Sequence, residues 1–167
     1  AAATRNKRVG LIATAASVRS GAYERTIAGL DGDITVISKA CPLFVPLVEN
    51  GRFRLGDTVI ETVAREYLEP LRDTGIDTLI MGCTHYPLLA EVIGGIMGPD
   101  VTLVDSGAEA ARSLKRQLTE RELLADRRGG EMTLYASDRP EDFGALAGMF
   151  LGQPLQGAVR PVDIEKY

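Results

Sequence analysis

The sequence of 167 residues is short of several residue types that mark particular protein classes. It has no tryptophan and only 5% aromatic residues, so its core should consist mainly of Val, Ile, Leu and Ala. Its net charge of −4 leaves no basic excess to pair with phosphates, and we expect no nucleic-acid partner. No apolar run approaches the ~20 residues of a membrane span, so we expect no membrane partner either.

Cysteine and histidine are also scarce, with two and one respectively. Two cysteines without a spacing pattern favour a reducing compartment over a disulfide scaffold, and we expect a cytoplasmic location. Cys41, Cys83 and His85 would give at most three ligands without recognisable zinc spacing, which argues against a metal site. The glycines match neither the dinucleotide-binding nor the Walker pattern, so neither kind of phosphate-binding loop is predicted.

Segments typical of strands and of helices alternate along the chain. Strands are predicted at residues 9–14, 33–38, 77–82, 101–104 and 132–135. Helices are predicted at residues 18–30, 57–74, 87–97 and 107–118, with a last one that starts near 138–141 and ends before Gly152. This alternation predicts an α/β fold, with a mainly parallel sheet and helices on both faces. The prolines at 42 and 46 indicate irregular structure at residues 41–51, and the polar stretch 126–130 could separate two subregions.

Three local patterns add detail to these helices. One apolar stripe on the second helix is formed by Ile60, Val63, Ala64, Tyr67, Leu68 and Leu71. Ser106 and Glu109 have the spacing of a capping box, so Ser106 is predicted to cap the fourth helix. The last helix is predicted to bury one face, formed by Phe143, Leu146, Ala147 and Phe150.

The candidate site lies in residues 77–89, D-T-L-I-M-G-C-T-H-Y-P-L-L, where a buried strand turns into a helix. Ligands of open α/β sheets collect at the carboxyl ends of strands. A helix N-terminus and a protonated imidazole both favour a thiolate, so Cys83 and His85 are candidate catalytic residues. The hydroxyl of Thr84, with nearby N–H groups, is suited to hold a carboxylate.

Each of these residues also has a plainer interpretation. Cys83 could be a small buried apolar residue, His85 a packing residue, and Thr84 a simple helix cap. Glu49 could be a solvated loop carboxylate or the group that orients His85. Cys41, in an apolar stretch, is interpreted as structural. The residues alone therefore indicate an α/β domain with a reactive thiol at one end of its sheet.

Six segments narrow this further. They are R-V-G-L-I-A-T (8–14), S-G-A-Y (20–23), C-P-L-F-V-P-L-V-E-N-G (41–51), Y-L-E-P-L (67–71), the 77–89 segment and V-D-S-G-A-E (104–109). In these segments and in their order, the sequence resembles the glutamate racemases of the cofactor-independent aspartate/glutamate racemase superfamily. The block G-C-T-H-Y-P-L-L is the most specific, and its histidine favours the glutamate branch over the aspartate branch.

The resemblance implies inversion of the α-carbon of free glutamate by two cysteines, one on each face, without a cofactor. Cys83 matches the second cysteine. Thr84 matches a residue that binds the substrate α-carboxylate, and Glu49 a supporting acid. His85 matches a residue that assists the neighbouring thiol and lies at the substrate. The resemblance also implies a supply of D-glutamate for peptidoglycan, and association as a homodimer.

The sequence departs from this family in length. The resemblance implies that members are about 100 residues longer at the N-terminus, a length within the range of typical domains. That part carries a D-S-G motif and the C-N-T motif with the first cysteine. Residues 105–107 spell D-S-G but match the later family segment. On this map residues 1–104 are the second racemase lobe and 105–167 the returning segment of the first, so the chain alone is expected to be inactive. A thiol-dependent hydrolase using Cys83 and His85, and a non-catalytic ligand-binding fragment, remain alternatives.

Overall fold

Strands and helices alternate in the computed structural model, which describes residues 1–125, 129, 132–155, 157 and 159–166. The chain forms two compact units, Ala1–Glu122 and Leu123–Tyr167. The strands are β1 Arg8–Ala13, β2 Thr35–Ala40, β3 Thr78–Met81, β4 Thr102–Asp105, β5 Tyr135–Ala136 and β6 Arg160–Pro161. The α-helices are α1 Ala15–Ser20, α2 Ala22–Leu30, α3 Phe44–Glu49, α4 Thr58–Arg72, α5 Ala90–Met97, α6 Ser106–Glu120 and α7 Pro140–Leu151. Tyr86–Leu89 and Ile164–Lys166 are short 3-10 helices.

The first unit is built on a parallel sheet with the strand order β2-β1-β3-β4. Val9 of β1 pairs with Val36 of β2 on one side and with Thr78 of β3 on the other. The chain therefore builds from β1 in one direction and then reverses to add β3 and β4 on the opposite side. In open α/β sheets such a reversal marks the ligand-binding crevice, outside the carboxyl ends of the strands. The predicted parallel α/β fold is confirmed.

Helices pack on both faces of this sheet, as predicted. On one face Ile12, Leu79 and Met81 belong to a large buried cluster that includes residues of α3, α4 and α5. On the other face Val9 packs with Ile27 of α2. Side chains alternate between the two faces along a strand, which is why Val9 and Ile12 of the same strand enter different clusters.

Helix α4 carries the apolar stripe that its sequence predicts. Its buried side chains are Ile60, Ala64, Tyr67, Leu68 and Leu71, and Val63 packs partly buried against the same cluster. The helix begins after Asp57, whose side chain accepts a hydrogen bond of 2.9 Å from the Val59 N–H. An aspartate at this position satisfies one of the N–H groups that a helix start leaves without a partner.

The prediction of irregular structure at residues 41–51 is wrong, because Phe44–Glu49 forms α3. Pro46 is the third residue of this helix. The N–H groups of a first helical turn have no partner within the helix, so a proline there removes no hydrogen bond. The second proline, Pro42, precedes the helix and does not interrupt it.

The predicted helix at residues 18–30 is also wrong in detail, because it is two helices separated by Gly21. Gly21 has φ +61°, a left-handed conformation that glycine adopts without steric cost. The first of the two helices starts earlier than predicted, since the Thr14 side chain caps it by accepting from the Ser17 N–H at 3.3 Å. Both signals are local: a glycine in a left-handed conformation and a threonine cap.

The cap predicted for α6 is one residue out of place. Asp105 is the capping residue, and its Oδ1 accepts hydrogen bonds from the N–H groups of Gly107 at 2.8 Å and Ala108 at 3.1 Å. Ser106 instead is the first residue of the helix. Aspartate caps as well as serine does, and its negative charge also favours the helix N-terminus.

The second unit contains the parallel pair β5–β6 and helix α7, which ends before Gly152 as predicted. The predicted buried face of α7 is wrong: Phe143 and Phe150 are 39% and 38% exposed, and the helix has no buried residue. The two strands have two residues each, too few to cover one side of a 12-residue helix. The predicted loop at 126–130 lies outside the described residues apart from Gly129.

The boundary between the compact units follows residue 122, whereas the predicted lobe boundary follows residue 104. The boundary after residue 122 reflects which residues pack together in this structure. The assignment of racemase lobes is a different division of the chain, and it stays a prediction. Within the described part of the chain, no helix combines the length and apolar character needed to cross a membrane.

Candidate active site

The candidate site lies at the carboxyl end of β3, beside the carboxyl end of β1. Parallel pairing brings these ends to one edge of the sheet, since Ile12 of β1 is opposite Met81 of β3. The next residues are Gly82, Cys83, Thr84 and His85. The predicted reactive segment therefore emerges where the strand order reverses.

Gly82 brings this segment close to β1. Its N–H donates to the Ile12 carbonyl at 2.8 Å, which continues the ladder one residue beyond β3. A Cβ atom at Gly82 would lie 2.9 Å from Leu11 Cδ1 and 3.1 Å from the Ile12 oxygen. A larger residue would require the Leu11 side chain to move and the Ile12 carbonyl to give way slightly, so glycine allows the closest approach of this segment to β1.

Cys83 is half-buried, and its Sγ lies 3.9 Å from Nδ1 of His85. The chain then turns directly into the short 3-10 helix Tyr86–Leu89, with Pro87 in its first turn, and continues as α5. The helix predicted at 87–97 thus starts with a tighter turn, whose first N–H, that of Tyr86, donates to the Cys83 carbonyl at 3.2 Å. Thiol and imidazole are within reach of each other on the same turn.

His85 connects the thiol to an acid from another part of the sequence. Its Nε2 lies 3.1 Å from Oε1 of Glu49, the last residue of α3. Its Nδ1 faces both the Cys83 sulfur and the Thr84 hydroxyl, the latter at 3.4 Å. An N–H at Nε2 donated to the carboxylate leaves Nδ1 as the acceptor on the side of the thiol. The structure thus brings together all four predicted site residues.

Thr84 is exposed, and its hydroxyl points to the same side as Nδ1 of His85. The residue that caps the following 3-10 helix is His85, which makes no side-chain capping hydrogen bond. The alternative of Thr84 as a simple cap therefore has no support from the geometry. An exposed hydroxyl beside the thiol is free to approach a small anionic ligand.

Cys41 has a different environment, although it also follows a strand end. It is 1% exposed within the main core, and its Sγ lies 3.7 Å from the Lys39 carbonyl oxygen. Burial raises the pKa of the Cys41 thiol to about 12, so the group stays protonated at neutral pH. The interpretation of Cys41 as structural agrees with this position.

Of two further neighbours of the site, Tyr86 had no role in the sequence predictions and Ser106 had a different one. Tyr86 is fully buried, and its hydroxyl donates to the Cys41 carbonyl at 3.1 Å. Ser106 donates its hydroxyl hydrogen bond to the Met81 carbonyl at 3.0 Å, at the last residue of β3. A signal existed for Tyr86, because a buried tyrosine hydroxyl requires a partner. Ser106 was interpreted as a cap, and its side chain in fact holds the strand end.

The acidic, histidine and cysteine side chains of the described residues form no group of three or more that could hold a metal ion. The carboxylate, imidazole and thiol of the site are arranged in a row, with the imidazole between the other two. This order suits relay of a proton or stabilisation of a thiolate.

Comparison with known proteins gives consistent matches. A profile of the Asp/Glu/Hydantoin racemase family matches residues 1–114. The chain is 45% identical over 154 residues to a glutamate racemase of Desulforudis audaxviator, a match that covers 87% of this chain and 55% of the relative. It is 44% identical to a glutamate racemase of Geobacter metallireducens, covering 99% of this chain and 60% of the relative.

Solved structures agree in fold. The glutamate racemase of Francisella tularensis, solved in complex with D-glutamate, has a TM-score of 0.86 at 37% identity, covering 96% of this chain and 59% of that one. The enzyme of Thermus thermophilus, solved with beta-chloro-D-alanine, has a TM-score of 0.81 at 42% identity, covering 96% and 58%. The chain thus spans somewhat more than half the length of these relatives.

Proposed function

Since this chain belongs to the Asp/Glu/hydantoin racemase family, we propose that it forms part of a glutamate racemase and supplies one of its two proton-transfer groups. The observation that carries the proposal is the row of Cys83, His85 and Glu49 at the place where the strand order reverses. The high similarity to glutamate racemases supports glutamate as the substrate.

In the proposed reaction the Cys83 thiolate removes the α-proton of one enantiomer of glutamate. The C–H bond breaks, an S–H bond forms, and the electron pair stays on the α-carbon, delocalised into the carboxylate. A second acid on the opposite face then donates a proton, which forms the new C–H bond and completes the inversion. In the reverse direction Cys83 is the donor. A positioned acid or base of this kind contributes typically ~10²–10⁴-fold to a rate.

His85 and Thr84 have supporting roles in this proposal. The imidazole, oriented by Glu49, stabilises the Cys83 thiolate and exchanges a proton with it. The Thr84 hydroxyl, exposed beside the thiol, binds the substrate α-carboxylate and keeps the α-carbon over the sulfur. Negative charge that develops on the carboxylate is then met by donors already in place, which lowers the barrier to proton removal.

The second proton-transfer group is proposed to come from outside this chain. Of the two cysteines in the sequence, Cys41 is buried in the core, with a thiol that stays protonated. It is therefore unsuited to face a substrate opposite Cys83. We expect the group to lie in the part of the relatives that this chain leaves uncovered, in keeping with residues 1–104 as the second lobe and 105–167 as a returning segment of the first.

The test is a chimera in which the N-terminal part of the Geobacter metallireducens relative is fused ahead of this chain. Circular dichroism of pure L-glutamate should follow racemisation. Cys83→Ser should slow it by ~10²–10⁴-fold, while Cys41→Ser, a matched change of the other cysteine, should leave it near the unsubstituted rate. An active Cys83→Ser chimera would refute the assignment.

A thiol-dependent hydrolase is the second candidate, favoured by the same row of thiol, imidazole and carboxylate. In that reaction Cys83 would attack an acyl carbon and His85 would carry the proton to the leaving group. The two candidates differ in their kinetics. A hydrolase releases a burst of product from an activated ester such as p-nitrophenyl acetate and then turns over steadily, whereas a proton-transfer thiol does not turn over.

The resemblance to the racemases extends the proposal beyond the reaction. D-Glutamate would serve peptidoglycan synthesis, and thus the cell wall and cell shape, in the cytoplasm. A homodimer is the proposed assembly, and no cofactor takes part in the proposed chemistry.

A further inference from the structure

Tyr86 connects the two segments that form the candidate site. It follows His85 directly in the sequence, and its side chain is fully buried. Its hydroxyl donates to the carbonyl of Cys41, 45 residues away, at 3.1 Å. Cys41 begins the turn that leads into α3, because the Phe44 N–H donates to the same carbonyl at 3.3 Å. The Tyr86 hydroxyl thus ties the start of α3 to the segment that carries His85.

The ring of Tyr86 makes a second connection to the same helix. It packs edge-on against Phe44, with ring centroids 5.3 Å apart and planes at 90°. Phe44 is the first residue of α3 and Glu49 the last. A six-residue helix is under two turns long, so a shift at its first residue carries directly to the carboxylate at its other end.

We propose that Tyr86 is a positioning residue that sets α3 so that Glu49 meets His85. Its hydroxyl fixes the approach of the turn at Cys41, and its ring fixes the orientation of Phe44. The Glu49 carboxylate then lies 3.1 Å from Nε2 of His85 and holds the N–H on that nitrogen. The other nitrogen, Nδ1, stays an acceptor 3.9 Å from the Cys83 sulfur. This inference rests on the proposed role of His85 beside the thiol.

Tyr67 offers a matched control. It is also buried, and it packs edge-on against the same Phe44 ring, with centroids 5.3 Å apart and planes at 73°. It belongs to α4 and not to the segment that carries His85. Tyr67→Phe and Tyr86→Phe each remove one buried hydroxyl from one aromatic cluster. The Tyr67 hydroxyl interacts with the backbone of Leu43, just before α3, so both variants remove a polar contact near the start of that helix. A general loss of such contacts would affect both variants alike, whereas only Tyr86→Phe removes the bond between the Cys41 carbonyl and the segment that carries His85.

The direct measurement is the tautomer of His85, read from long-range ¹H–¹⁵N correlation spectra of the full chain. Because the chain has one histidine, the ring signals need no assignment. The spectra are recorded at about pH 8 in a Cys83→Ser background, which removes the neighbouring thiol from the measurement. We expect the Nε2–H form in this background and with Tyr67→Phe, and a mixture of both tautomers with Tyr86→Phe and with Glu49→Gln.

Three results would overturn the inference: a background without the Nε2–H form, an unchanged spectrum in Tyr86→Phe, or equal changes in Tyr86→Phe and Tyr67→Phe. If Tyr86→Phe does not fold by circular dichroism, Phe44→Leu replaces it. That variant removes the ring between Tyr86 and α3 and should give the same mixture of tautomers. An unchanged spectrum in folded Phe44→Leu would count against the inference.

Alkylation of Cys83 by iodoacetamide separates this inference from the proposed function. Tyr86→Phe and Glu49→Gln should each slow it by roughly 2–5-fold, about the loss of one modest hydrogen bond. The double variant should be no slower than either, since both remove the same interaction. If Glu49→Gln slows alkylation and Tyr86→Phe does not, the inference about Tyr86 fails alone. If neither Glu49→Gln nor His85→Asn slows it, the proposed role of His85 fails.

Discussion

Glu49 and His85 are 36 residues apart in the sequence, and their side chains meet with 3.1 Å between Oε1 and Nε2. The Glu49 side chain is 45% exposed and that of His85 is 20% exposed. Water therefore screens the pair in part, and its value lies in orientation more than in stability. An orienting role gives the interaction a measurable consequence at the neighbouring thiol.

Glu49→Gln should slow alkylation of Cys83 by roughly 2–5-fold at low salt, since the loss of one modest hydrogen bond costs about 0.5–1 kcal/mol. The difference should shrink at ~1 M salt, where screening is strong. Glu66→Gln, an equivalent change at an exposed position of α4, is the control. Equal slowing by both substitutions would mean that overall charge, and not orientation of His85, sets the rate.

The two cysteines should differ in reactivity. Burial raises the pKa of the Cys41 thiol to about 12, and Cys41 is 1% exposed, whereas Cys83 is half-buried. A pKa of that size leaves roughly one thiol in 10⁵ ionised at pH 7. Timed labelling and peptide mapping should therefore give at least about tenfold faster modification of Cys83. In urea the two should label at similar rates, and equal rates in the folded chain would refute the prediction.

Most of the candidate site could be proposed from the sequence because three of its four residues are neighbours along the chain. Cys83, Thr84 and His85 follow a strand and precede a proline, and that order alone places them at the end of a parallel sheet. Glu49 comes from a distant segment, and here the sequence supplied two interpretations without deciding between them. Only the three-dimensional course of α3 brings the carboxylate to the imidazole, and that helix was predicted to be irregular.

The errors have a common physical origin. Apolar periodicity identifies a long helix such as α4 because its buried stripe extends over several turns. Short helices such as α3 depend on caps and packing against neighbours, which periodicity does not capture. The face of α7 was predicted to be buried from its apolar content, although burial of Phe143 or Phe150 also depends on what lies opposite. That information is tertiary and is absent from a local window.

Asp77 should make the stability of the first unit depend on acid pH. Burial raises the pKa of this carboxylate, but hydrogen bonds from Thr4, Arg5, Asn6 and Thr78 outweigh that effect and lower the pKa to about 2. The folded pKa lies below the unfolded value of ~3.9, so the stabilisation is complete above that value and is lost as pH falls through about 2.

Asp77→Asn should therefore lower the free energy of unfolding by ~1–3 kcal/mol at neutral pH, because charged acceptors make the stronger hydrogen bonds. The difference from the unsubstituted chain should narrow between pH 4 and pH 2, as the native carboxylate takes up a proton. Urea unfolding at several pH values measures this. Asp73→Asn, at an exposed position four residues earlier, should have little effect, and a loss as large as that of Asp77→Asn would contradict the prediction.

Gly82→Ala should displace the segment that carries Cys83. The added Cβ would meet Leu11 Cδ1 at 2.9 Å and the Ile12 oxygen at 3.1 Å, so the Leu11 side chain must move and the Ile12 carbonyl or the Cys83 segment must give way slightly. Overpacking of this kind costs ~1–3 kcal/mol, and alkylation of Cys83 should change with it. Gly95→Ala is the control, since it lies in α5 with nothing within 4 Å of the new atom. A stable Gly82→Ala chain with unaltered labelling would mean that this close approach does not position Cys83.

The chain by itself should not racemise glutamate. Inversion needs an acid and a base on opposite faces of the α-carbon. The other cysteine of this sequence, Cys41, is buried and its thiol has a raised pKa. Cys83 alone can remove and return a proton on one face only. Incubation with L-glutamate in D₂O, followed by ¹H NMR and by circular dichroism, distinguishes the two events. We expect no loss of optical activity, and any exchange of the α-proton should retain configuration and disappear in Cys83→Ala. Sustained inversion that Cys83→Ala abolishes would prove the prediction wrong, because another group of this chain would then be donating the second proton.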